Sequence, residues 1–190
     1  MAVMEARRER SPALSFAAEG ALAEAMLRAG QKATARARLD RLALSAPRAA
    51  LPQANHMMRY RGLVARFELG ETEEVRVAAE GLATEAGRIH DFAIAAAAIL
   101  LAGRAALKDK RAMEALQYAE WLADVMKRRP LGGPPEHVGE WLMANAHYQM
   151  KWFKSANLLS RKAMESLRTQ NGPQARRDWL GAGEHGLMPG

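Results

Sequence analysis

Residues 61–83, RGLVARFELGETEEVRVAAEGLA, decide how this chain folds. Gly70 divides the stretch. A glycine can end a helix by turning left-handed without the steric penalty that a Cβ brings. Directly after it, Glu71, Glu73 and Glu74 place negative charge where the dipole of a starting helix favours it. The segment therefore predicts helix, turn, helix.

Working outward, Gly30 stands forty residues before Gly70, Lys110 forty after it, and Lys151 one residue beyond the next forty. In this register seven columns are apolar in all four copies. They are Ala17/Met57/Ala97/Val138, Ala25/Ala65/Ala105/Ala146, Leu27/Phe67/Leu107/Tyr148, Ala35/Val75/Ala115/Ala156, Leu42/Leu82/Leu122/Ala163, Ala43/Ala83/Ala123/Met164 and Ala46/Ala86/Met126/Leu167. Apolar residues make up 49% of the chain, so chance would give only about two such columns. In the third copy Ala115, Ala119, Leu122, Ala123 and Met126 form one helical stripe.

Lys110 and Lys151 lack the freedom of glycine, and their turns are read by analogy with the other copies. Pro47 with Pro52, Gly87, the run Pro130 to Pro135 and Asn171-Gly172-Pro173 supply breaks between copies. The expected helices are 14–29, 31–45, 53–69, 71–86, 90–108, 110–128, 136–150 and 152–169. The expected organisation is an N-terminal extension at 1–13, a repeat domain at 14–169 and a C-terminal tail from 170. The fold class is all-α, with four helix–turn–helix units of about forty residues. The alanine column at 25, 65, 105 and 146 would let paired helices approach closely. One pair cannot bury its apolar face alone, so neighbouring units must complete the core.

The fourth copy reads Trp141-Leu-Met-Ala144-Asn-Ala-His-Tyr148, then Lys151-Trp-Phe153-Lys-Ser-Ala156, then Lys162-Ala163-Met164. This pattern resembles the tetratricopeptide repeat (TPR) family. The first copy is similar to it in Ala23, Gly30, Ala35 and Ala46-Pro47, the third in Gly103 and Ala115. It departs from the family in its longer period, in Leu63 at a small-residue position, and in a closing proline aligned only at Pro47. The resemblance implies a superhelix with the first helices on its concave wall, binding protein segments there. Carried onto this chain, the groove would be lined by Glu24, Arg28, Tyr60, Val64, Glu68, Leu100, Arg104, Lys108, Trp141, Asn145 and Gln149. Trp141 is the candidate anchor, since tryptophans dominate many interfaces.

Signals of chemistry are sparse. The chain holds no cysteine, which excludes disulfides, thiolate nucleophiles and thiolate-bound zinc. Phosphate-loop, dinucleotide, HExxH and GxSxG motifs do not occur. His137 and His147, ten residues apart, would point about 80° away from one another around a helix and make no metal pair. Glu73 and Glu74 suit helix capping better than acid–base catalysis. Trp152 and Phe153 read as packing residues after a turn, and so does the pair Met57-Met58. No cofactor and no metal are expected.

The net charge of +7, with pI near 10.1, is spread in blocks: +4 at the N-terminal end 1–48, −2 at 49–103, +3 at 104–130, −2 at 131–150 and +4 at the C-terminal end 151–190. Nucleic acid bound by those basic ends is thus an alternative partner to protein. A small secretion-type TPR chaperone is a further variant, and exposed terminal units could self-associate. Met1–Arg10 has no export-type apolar core, and the longest apolar run, Phe92–Ala102, is short of the roughly 20 residues of a membrane span. The expected location is the cytoplasm, and the expected role a non-catalytic scaffold or adaptor.

Overall fold

A computed structural model describes residues 12–45, 52–128, 133–135 and 137–170. Their secondary structure is helical, with no strand among the described residues. In chain order the helices are α1 (Pro12–Arg28), α2 (Lys32–Ser45), α3 (Pro52–Glu68), α4 (Thr72–Arg88), α5 (Phe92–Lys108), α6 (Ala112–Met126), α7 (His137–Gln149) and α8 (Phe153–Gln170). Every boundary lies within two residues of its expected place. Of the expected extension and tail, residues 1–11 and 171–190 lie outside the described residues, as do Pro47 and the break at Asn171–Pro173.

Each helix packs on the next, and α1, α3, α5 and α7 also touch one another in series. Among the even-numbered helices, α4 and α6 meet through the side chains of Arg76, Glu80 and Tyr118. A succession of this kind leaves the odd helices as one wall and the even helices as the opposite one.

The turns repeat one backbone motif. Gly30, Gly70, Lys110 and Lys151 all take positive φ, between 61° and 93°. In each turn that residue donates its N–H to the carbonyl three residues back, and the next residue donates to the carbonyl five back, as in Gly70 to Phe67 and Glu71 to Arg66 at 3.0 and 3.2 Å. This is the Schellman closure, which satisfies the last carbonyls of a helix. The columnar analogy places Lys110 and Lys151 correctly. His90 is a fifth case, at φ 62°, closing α4 onto Ala86 and Gly87. Gly87 is therefore not the break; it lies inside the last turn of α4, and His90 makes the turn instead.

The core centres on α5, FAIAAAAILLAGRAALK, which is buried on nearly every side. Its alanines let α3, α4, α6 and α7 all approach. Gly103 marks the tightest place: a Cβ there would lie 2.5 Å from Leu142 Cδ2 of α7 and 3.2 Å from Tyr118 Cβ of α6. Asp91 caps α5 by accepting the Ile94 N–H at 3.4 Å. A second, smaller cluster joins the first two helices to α3 through Phe16, Ala23, Leu39, Met58 and Ala65.

Some column members leave the core. Ala65, Ala105 and Ala146 are fully buried, whereas Ala25 is exposed, because α1 turns Ala23 inward instead. Ala123 is exposed as well, on the outer edge of the α6 stripe. Tyr148 is exposed because no further unit stacks on α7 and α8 among the described residues, and Met164 is exposed like its counterpart Ala123.

Candidate binding face

The odd-numbered helices build this face. Between α3, α5 and residues Gly133 and Pro134 lies a cleft of about 440 Å³. Met57 and Tyr60 of α3 form one side; Ile94, Ala97 and Leu100 of α5 form the other. Asp91 also lines the cleft. The same Asp91 faces the buried His56, Oδ2 to Nδ1 at 3.7 Å, while Glu85 stands 3.5 Å from His56 Nε2.

Tyr60 is partly buried, and burial pushes its phenol above the ordinary tyrosine range despite the opposing pull of Arg104. Arg104 stacks over the Phe67 ring at 5.1 Å. Lys108 Nζ lies 4.8 Å from the same ring and donates to the Phe67 carbonyl at 3.5 Å. Such cation–π contacts hold the two charges against the wall while leaving them able to meet an anion.

The expected groove residues thus fall into groups. Tyr60 and Leu100 meet in the cleft, and Arg104 and Lys108 meet over Phe67. Leu100 is only 4% exposed and offers a floor, not a projecting contact. Val64 and Trp141 are half-buried and pack against the core, which makes Trp141 as much a packing residue as an anchor. Glu24 pairs with Arg28 and with Arg61 at 3.5 and 3.4 Å, and Glu68 pairs with Lys32 at 3.2 Å. Asn145 donates to the Trp141 carbonyl of its own helix at 2.8 Å. Gln149 reaches back to the Leu107 carbonyl at 2.8 Å, one unit away, as Lys108 does to Phe67.

Met57 belongs to the cleft, although the sequence reading assigns it to packing with Met58. The structure divides the pair: Met58 is buried, and Met57 is 37% exposed. The spacing Gln53, Met57, Tyr60, Val64 along one helix face is the signal that separates them.

The opposite wall carries a charge network. Arg76 of α4 contacts Glu73 at 2.7 Å and Glu114 of α6 at 3.3 Å, and donates to the Tyr118 hydroxyl at 3.3 Å. That hydroxyl donates to Glu80 at 2.8 Å, and Arg111, just before α6, reaches back to Glu73 at 3.1 Å. In the first unit Arg28, Lys32, Arg36 and Arg38 each meet a carboxylate, so much of the basic N-terminal block is internally paired.

No helix of the described residues is long and apolar enough to cross a membrane. No protein-family model matches the chain, and no curated protein or solved structure matches it.

Proposed function

We propose that the chain is a TPR-like solenoid of four units that acts as a non-catalytic scaffold, holding a partner protein segment against the wall of odd-numbered helices. The observation that carries this reading is the serial contact of α1, α3, α5 and α7, with an apolar cleft between α3 and α5 and the Arg104–Lys108 pair beside it. An apolar side chain of the partner would enter the cleft, and an acidic group would meet the cations over Phe67. Concave apolar sites with a few placed charges bind ligands in this manner.

The test compares tagged wild type with the combined variant Y60A/R104A/K108A/W141A, each retrieved from native cells and analysed by quantitative mass spectrometry. Circular dichroism checks that helicity is unchanged. At least one protein should fall by about tenfold with the variant, the loss expected when a binding hot spot is truncated. An identical set of retrieved proteins, with helicity intact, overturns the groove reading.

A further inference from the structure

The last of the described helices, α8, presents a second surface. In the inner units the columns that meet the next unit are buried: Leu39, Ala79 and Ala119 are each 0% exposed, and Phe67 and Leu107 are 7% and 2%. Their counterparts in the last unit, Ser160 and Tyr148, are exposed, Tyr148 at 59%. Trp152, Phe153 and Met164 lie open beside them. Tyr148 and Phe153 already meet edge to face at 5.5 Å, so part of this apolar surface is preassembled. Phe153 and Met164 flank Ser160 on α8, the position at which the earlier even-numbered helices bury Leu39, Ala79 and Ala119.

The surroundings of this stripe define its occupant. Lys154, Arg161 and Arg168 recur every seven residues and form a file along α8. The file runs about 70° round the helix from the Phe153–Met164 line. All three are exposed, and none has a carboxylate partner among the described residues. At earlier junctions, cations in other columns of the repeat meet carboxylates of the following unit. Lys32 and Arg36 of the first unit meet Glu68 and Glu71 of the second. Arg76 of the second unit meets Glu114 of the third.

We infer that the exposed face of α8 docks an amphipathic, acidic helix of a partner protein, stacked as the next helix of the series would be. A second copy fits poorly: antiparallel pairing of α8 with itself brings the same edge of each helix together, setting the file of cations against its twin. The chain's own residues 171–190 carry Arg176 and Arg177 beside Asp178 and Glu184 and offer no surplus of negative charge.

The chain has no native cysteine, so Asn157→Cys, on the exposed edge of the stripe, takes one environment-sensitive dye in the full-length protein. The probes are two short synthetic helices with the same leucine stripe, flanked by Glu in one and by Lys in the other, and a short DNA duplex. Protection of the dye from iodide is measured. The Glu-flanked helix should protect it at a concentration about tenfold lower than the Lys-flanked helix. That preference should reverse in K154E/R161E/R168E, and F153A/M164A should weaken the Glu-flanked helix by about tenfold. Both variants retain the inward Ala156 and Ala163, and circular dichroism confirms their fold. Protection before any probe is added overturns the inference, in favour of the chain's own tail if independent of concentration and of a second copy if it rises with concentration. Equal protection by both helices, protection by neither, or stronger protection by the duplex also overturns it.

Discussion

Lys110, Lys151 and His90 hold backbone angles that suit glycine, at φ 61°, 62° and 62°. Left-handed backbone at a residue with a Cβ costs about 1–2 kcal/mol, partly offset by the extra freedom that glycine has when unfolded. Replacing Lys110 by glycine should therefore stabilise the protein by about 0.5–1 kcal/mol, since its side chain makes no ion pair among the described residues. Thermal denaturation checks this; an increase of about 2–4 °C per kcal/mol is expected for a chain of this size. Glycine at 30 and 70 announces two of these turns in the sequence, and column spacing carries the assignment to 110 and 151. His90 is illegible, because neither residue type nor column marks it, and Gly87 nearby draws the eye. Tyr60 allows a second test. Burial favours its neutral form, so folding is supported below the ordinary tyrosine value of about 10 and loses that support as pH rises above it. Urea midpoints at pH 8 and pH 11, on either side of about 10, should fall further in wild type than in Tyr60→Phe.

At the scale of the element, α5 shows how composition serves packing. Twelve of its residues are buried, and most are alanine or leucine. Small side chains bring the neighbouring helices close, and Gly103 takes this furthest against Leu142. Gly103→Ala should destabilise the protein by about 1–3 kcal/mol through overpacking, even though alanine is the better helix former. Urea denaturation measures it, and unchanged or higher stability would show that α7 moves aside freely. The small residue at 103 is legible from its column with Ala23 and Ala144. Its closeness to Leu142 is not, because the separation of two helices depends on every contact along them. The cleft is legible in the same partial way: Tyr60 and Leu100 follow from helix spacing, whereas Asp91 and Pro134 arrive from turns whose direction no periodicity reports.

Across the whole molecule the packing is uneven. The larger cluster of buried side chains runs from Leu63 to Ala146, while Phe16, Ala23, Leu39, Met58 and Ala65 form a separate group. Stability in a stacked array is the sum of unit and junction contributions, so the less packed end opens first. Native-state hydrogen exchange should give α1 and α2 lower opening free energies than α4, α5 and α6. Equal values throughout would mean that the chain opens only as one cooperative body. Repetition made the eight helices readable, but it is silent on where the stack thins, since the columns weigh each copy alike.

The three-residue joint at 89–91, between α4 and α5, is built like those at 69–71 and 109–111. From α3 to α6 the chain consequently carries no internal punctuation: pairing α4 with α5 is as natural as pairing α3 with α4. A duplicated stretch one period long could be spliced in at any of these three joints and would rejoin in phase, keeping the same side of the molecule facing inward. Growth by whole periods is thus open to this architecture wherever the copying happens to begin.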